Sequence, residues 1–206
     1  MKKIALFVLS LALMLGVCSV ATAATITVGA YEYVLTYLPI RTYYGYSYTQ
    51  QIVSQSEINT SGSITKLRFY WYDGYNNNSN NWTIYMGHTT KTAFASTSDW
   101  IQSSAMTQVF SGTVTFPSSQ GWMEITLNTA FNYNNTQNLV IAVDENAAGY
   151  ATNNGRFVAA QTTSNTCIYY YGDRTNPNPV SPPAAVGTAA YKNYLQLEIT
   201  TPAGPM

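Results

Sequence analysis

The sequence predicts an all-β domain, a two-sheet antiparallel β-sandwich with jelly-roll-like connectivity. Segments rich in Val, Ile, Thr, Tyr, Phe and Trp recur between clusters of Gly, Asn, Ser and Pro, and several alternate apolar with polar residues. Beyond the first residues, no stretch carries the period of a long amphipathic helix. About ten short strands in one flat sheet would leave an apolar face in water, so two packed sheets are expected.

Taken in order, a short strand is expected at 25–28 and a longer one at 47–53. The clearest strand is 64–72, where Leu67, Phe69 and Trp71 share one face and Lys66, Arg68 and Tyr70 the other. Residues 82–86 repeat the design with Trp82, Ile84 and Met86 inward. The polar run between these two strands reads as a long hairpin loop, so the two should pair antiparallel. Residues 89–100 lack alternation, and Ser96-Thr97-Ser98-Asp99 favours local backbone bonding, which predicts a helical turn or an ordered loop. Strands follow at 106–110, 112–116 and 122–127, the last bracketed by Gly121 and Asn128. Residues 139–143, Leu-Val-Ile-Ala-Val, are apolar on both faces and suit a central strand. Further strands are expected at 156–160, 167–171 and 194–200. The proline-rich run 175–183 reads as a rigid extended loop, since Leu195, Leu197 and Ile199 alternate after it.

The amino terminus carries a secretory leader: Lys2 and Lys3, an apolar run over 4–17, then Ala21-Thr22-Ala23-Ala24. That run is short of the ~20 residues a membrane span requires, and the small residues suit cleavage after Ala23. Residues 1–23 are therefore read as a signal peptide and 24–206 as one β-sandwich domain without a membrane span, secreted or held at the cell surface. Leu15-Gly16-Val17-Cys18 loosely resembles a lipoprotein signal, but Val17 stands where such signals carry Gly, Ala or Ser, so anchoring through Cys18 is disfavoured.

Charged residues make up only 9% of the chain, nine basic against nine acidic, and removing Lys2 and Lys3 tips the balance slightly negative. No basic stripe exists to neutralise phosphates, which argues against nucleic acid as a partner. Once Cys18 leaves with the leader, Cys167 stands alone and no internal disulfide is possible. Within Cys167-Ile168-Tyr169-Tyr170-Tyr171 it reads as a small buried hydrophobe, with an intermolecular bridge or a nucleophile as the alternatives.

Four segments carry a resemblance: 43–51 (Tyr43-Tyr44-Gly45-Tyr46 onward), 84–91 around Gly87-His88, Ser98-Asp99-Trp100-Ile101, and 138–146 ending in Asp144-Glu145-Asn146. Together they resemble a module repeated in large secreted or cell-surface bacterial proteins. There the module is set beside fibronectin type III-like or adhesin-like domains. The resemblance implies a non-catalytic β-sandwich and supplies no functional residues.

Functional candidates come from the aromatic and polar loops. The chain has 18 Tyr, more than one core requires, and a ring with a polar tip suits stacking on sugars or packing on a protein. Tyr43, Tyr44 and Tyr46 form one candidate ligand group and Tyr75, Asn76 and Asn77 a second. Asp144 and Glu145, adjacent at the end of a strand, are a weak calcium candidate, against the plainer reading of a solvated turn; no other cofactor is expected. His88 is the only histidine and reads as a strand-end cap bonded near Thr89 and Thr90. A hydrolase would have to draw on Glu57, Glu124, Asp144 and Glu145. The resulting expectation is a secreted or cell-surface attachment domain that binds carbohydrate through loop Tyr and Asn. A self-associating or protein-binding surface component is the first alternative and a glycan-acting hydrolase the second.

Overall fold

Alternation resolves into two facing sheets because each of the long strands has one apolar side to bury. The computed structural model describes residues 21–74, 79–149 and 154–201. In chain order the elements are Thr22–Val28 (β1), Tyr33–Leu35 (β2), Tyr46–Val53 (β3), a helical turn at Gln55–Ile58 (α1), Gly62–Asp73 (β4), Asn81–Thr89 (β5) and Thr107–Thr113 (β6). They continue with Gly121–Tyr133 (β7), Asn138–Glu145 (β8), Arg156–Gln161 (β9), Cys167–Gly172 (β10), Gly187–Ala189 (β11), Tyr191–Asn193 (β12) and Leu195–Thr201 (β13). Among the described residues no helix is long and apolar enough to cross a membrane.

A seven-stranded sheet runs β1-β13-β4-β9-β12, with β2 added on β9 and β7 on β4; a six-stranded sheet runs β11-β10-β3-β8-β5-β6. Every pairing is antiparallel. The nested pairs β3/β10, β4/β9 and β5/β8 fall alternately in the smaller, the larger and the smaller sheet, the wrapping of a jelly roll. β8 lies between β3 and β5, central as its two-sided apolarity predicts.

The expected hairpin between 64–72 and 82–86 is not formed. β4 pairs with β13, β7 and β9, whereas β5 pairs with β8 and β6 in the other sheet. The two strands lie in opposite sheets, because each has an apolar face that is best buried against the other. Phe69 and Trp82 meet across the interface with centroids 6.2 Å apart, and Phe157, Trp71 and Phe116 complete the ring cluster. Leu67, Phe69, Ile84, Met86, Leu195, Leu197 and Ile199 are all fully buried there.

Two further boundaries differ. The strands expected at 106–110 and 112–116 are one strand, β6, beyond which Phe116 turns into the core against Trp71 and Trp82. β7 runs on past Asn128: Ile64 faces Phe131 while Lys66 faces Thr126, so a bulge absorbs the extra residues of β7, and Asn128 Oδ1 accepts the Ser111 N–H at 2.8 Å. Residues 89–100 are an ordered loop after β5. α1 starts at Ser54, whose N–H and hydroxyl both donate to Glu57 Oε2, at 3.2 and 2.7 Å.

The outer face of the smaller sheet is covered. Ile52 and Ile168 form a second apolar cluster with Phe94 and Ala185, against which Trp100 and Ile101 pack. The loop before β6 and the proline-rich run lie over it, tied down by Trp100 Nε1 donating to Pro183 O (2.8 Å), Ala185 N–H to Thr97 O (2.7 Å) and Ile101 N–H to the buried Gln50 Oε1 (2.9 Å). The outer face of the larger sheet instead carries Lys66, Arg68, Glu124 and Glu198 and stands open.

Candidate functional site

Tyr43, Tyr44 and Tyr46 do not form one surface. Tyr44 stacks on Tyr171 at 4.5 Å, Tyr171 on Tyr169 at 6.2 Å, and Tyr169 on Tyr37 at 4.5 Å, while the Arg41 guanidinium lies 4.6 Å from the Tyr171 ring centre. The ladder uses up the ring faces a sugar would need. Tyr43, 44% exposed, meets Tyr44 edge-on at 5.4 Å. Tyr46 opens β3 opposite Gly172, one position before Ser47, which faces Tyr171; alternation therefore turns Tyr46 to the opposite side of the sheet from the ladder. Tyr75, Asn76 and Asn77 lie outside the described residues.

Asp144 and Glu145 close β8, and the expectation of a solvated turn is overturned: they are 4% and 0% exposed. The reason is position, since the last residues of a central strand are flanked on both sides, by Tyr48 and Thr83 for Asp144 and by Ser47 and Trp82 for Glu145. Consecutive strand residues point to opposite faces, so the two carboxyls do not converge on one point, and an ion would find one of them, not both. Among the described residues no three His, Cys, Asp or Glu side chains gather to hold a metal. Burial pushes Asp144 up to about 7, against a small opposing effect of Asn146. Burial likewise pushes Glu145 to about 8, with the Ala147 N–H opposing and Asp144 reinforcing. Asp144 Oδ1 and Glu145 Oε2 are buried without a hydrogen-bond partner among the described residues.

The remaining reactive side chains are held structurally. His88 Nε2 accepts the Asn134 N–H at 3.1 Å, and its ring packs on Phe131 and Tyr133, so it secures the turn after β7 and not the Thr89 region. Cys167 is buried and free, and burial pushes its thiol up to about 12. Glu124 is held below its usual range by Arg68, first through their hydrogen bond, and Lys66 and Glu198 complete a network at 2.6 to 3.6 Å. Two positive and two negative groups leave that patch neutral.

Beside this network the structure assembles aromatic residues that sequence reading missed. Tyr70 and Trp122 are directly opposite across β4 and β7, and their rings meet edge-on at 5.0 Å. Tyr194, between β12 and β13, accepts the Tyr70 N–H on its carbonyl (3.1 Å) and packs 5.6 Å from Tyr70 and 4.8 Å from Trp122. Tyr31 lies over Tyr70 at 5.5 Å and is 49% exposed. It arrives there because Gly29, at φ +73°, turns the chain after β1; a Cβ at that position would sit 3.1 Å from Ala160 Cβ.

Two residues on, Tyr33 is 42% exposed, meets Tyr191 edge-on at 5.3 Å and donates its hydroxyl to Gln161 Oε1 at 3.0 Å. Glu32 between them accepts the Gln161 N–H at 2.9 Å. An open cleft of about 760 Å³ adjoins Glu32, Tyr33, Gln161, Thr162 and Thr163. The rings of Tyr31, Tyr70, Trp122 and Tyr194 thus share the outer face, while Tyr33 and Tyr191, registered with Ala159 and Gln161 on the side of the buried Phe157, border a cleft of amide, carboxylate and hydroxyl groups at the sheet's edge. Tyr70 was legible as an outward strand residue, but its pairing with Trp122 depends on register, and Tyr31 and Tyr33 lie in no recognisable pattern.

No protein-family model matches the sequence, and no curated protein matches it. Among solved structures the chain is similar to one described as the cysteine protease and lectin-like domains of Cwp84, a surface layer associated protein of Clostridium difficile, at 10% identity and a TM-score of 0.45. The match covers 76% of this chain and 32% of that one, so this chain corresponds to about a third of that protein's length.

Proposed function

We propose that the protein is an exported, non-catalytic attachment domain, secreted or held at the cell surface, that binds neutral carbohydrate on the open face of its larger sheet. The observation that carries this reading is the half-exposed cluster of Tyr31, Tyr70, Trp122 and Tyr194 beside a charge-balanced network. Ring faces pack on the C–H surfaces of sugars, while phenol tips, Gln120 and Gln196 supply hydrogen bonds to hydroxyls. Gln120 Nε2 already donates to Tyr31 Oη at 2.7 Å, so that ring is held in place before any ligand arrives. Cleavage after Ala23 leaves Ala24 to Val28 paired with β13, so export processing is compatible with the sheet.

A glycan array probed with residues 24–206 tests this. Binding to neutral glycans is expected, and Trp122→Ala or Tyr31→Ala should weaken it at least tenfold, which corresponds to about 1.4 kcal/mol per ring. No response across plant, microbial and host glycans would defeat the reading. Self-association is favoured by a separate observation: among the described residues β1 pairs with β13 alone, carries no charged residue and has no register shift in that ladder, so its other edge is suited to pairing. A mass that grows with concentration in light scattering would support that second reading.

A further inference from the structure

We infer that the pocket at the sheet edge, between α1 and the turn joining β9 to β10, is a second carbohydrate subsite, selecting the uncharged terminal residue of a glycan whose chain lies over Tyr33. This inference rests on the carbohydrate reading above. The pocket encloses about 320 Å³ and shares Gln161, Thr162 and Thr163 with the cleft beside Tyr33, so one ligand can run from ring to pocket without leaving the surface.

Its wall holds the Glu57–Lys192 ion pair, brought together from α1 and β12, above a floor at Ile52. Lys192 is 11% and Glu57 27% exposed at the side chain, so the pair is half withdrawn from solvent and already in place. Burial alone would raise the Glu57 carboxyl, but the bonds from Lys192 and Ser54 outweigh it and hold the group ionised below its usual range. A fixed carboxylate next to a fixed ammonium offers an acceptor and a donor side by side, the complement of two neighbouring sugar hydroxyls. Asn138 and the hydroxyls of Thr162 and Thr163 add neutral partners around it.

Charge decides the class of ligand. Glu57 and Glu32 face the cleft against Lys192 alone, and the nearby Lys91 is committed to Asp99 at 2.6 Å. Glu57 and Lys192 cancel within the pocket and the exposed Glu32 adds a negative charge beside it, so a sugar bearing carboxylate or sulfate finds no unpaired cation among the lining residues and a neutral one is unopposed.

The test compares neutral gluco-, manno-, galacto- and N-acetylglucosamine oligosaccharides with oligogalacturonate and sulfated galactan on residues 24–206. Neutral probes are expected to bind at least tenfold tighter than the acidic ones, and Glu57→Gln should narrow that gap at least threefold by removing the negative charge. Glu57 also anchors the start of α1, so Thr163→Trp, at an exposed position that fills the pocket mouth, provides an independent variant and should weaken neutral binding at least tenfold. Neutral binding that falls in Trp122→Ala but is unchanged in both pocket variants overturns the subsite and leaves the aromatic strip standing. Equal or tighter binding of the acidic probes also overturns it, and no binding of any probe defeats the underlying reading instead.

Discussion

Raising the pH from 5 to 9 is expected to destabilise this protein, a trend set by Asp144 and Glu145. Their carboxyls titrate near 4 in an unfolded chain and near 7 and 8 in the fold, because both are buried and among the described residues no cation pairs with either. Between those values the native state holds protons that the unfolded state has released. Stability therefore falls as pH rises through that window, by up to about 1.4 kcal/mol per pH unit for each group, and levels off above the folded values. Glu57, Asp99 and Glu124 act in the opposite sense: their folded values are lowered, so their contribution is present above pH ~4.5 and is lost as pH falls through the folded values. The two trends place the optimum near pH 5. Thermal melts should show a Tm lower by roughly 5 °C or more at pH 8 than at pH 5. Asp144→Asn and Glu145→Gln should each flatten the slope and raise the Tm at pH 8; Gln retains the acceptor for the Ala147 N–H now bonded at 2.8 Å. A Tm that climbs from pH 5 to 8 would contradict the assignment.

Trp82→Ala is the second large effect, with an expected loss of about 3–5 kcal/mol of folding stability. The indole is fully buried, meets Phe69 across the sandwich and Phe116 from the segment after β6, and donates Nε1–H to Ser79 O at 2.8 Å. Removing it opens a cavity at the point where the two sheets contact each other and leaves a carbonyl without its donor. A domain of ordinary stability, ~5–15 kcal/mol, would lose a large fraction of its margin. Trp122→Ala should differ in kind, since that ring is half exposed and its loss falls mainly on binding. Urea titration of the two variants separates them: the midpoint shifts strongly for Trp82→Ala and little for Trp122→Ala.

The contrast between these tryptophans also shows what a linear reading can reach. Both sit on alternating strands, and alternation identified the inward faces of β4, β5 and β13 and the central place of β8. It could not assign lateral partners. Strands β4 and β5 carry the same pattern whether they lie side by side or face to face, and the second arrangement buries Phe69 against Trp82. Three-residue strands such as β2, β11 and β12 are too short to show a period, and they complete the sheet edges only because neighbouring strands template them. The site was obscured for a related reason. Tyr43 and Tyr44 are dense in sequence, yet the ring of Tyr44 is taken by Tyr171 from a distant strand and by Arg41, whereas Tyr31, Tyr70, Trp122 and Tyr194 are scattered in sequence and converge through the register of three strands and one left-handed glycine. Asp144 and Glu145 read from sequence as a calcium candidate or a solvated turn, and their burial follows from what flanks β8, which local composition does not contain.

The central claim is that the open face of the larger sheet meets carbohydrate. Titration of a neutral oligosaccharide from the array into the ¹⁵N-labelled domain, followed at the tryptophan indole N–H signals, tests it most directly. The Trp122 signal should move saturably while those of the buried Trp71 and Trp82 and of Trp100, bonded to Pro183, stay in place. Saturable movement of Trp100 with Trp122 unmoved would put the ligand on the opposite side of the sandwich and contradict the account.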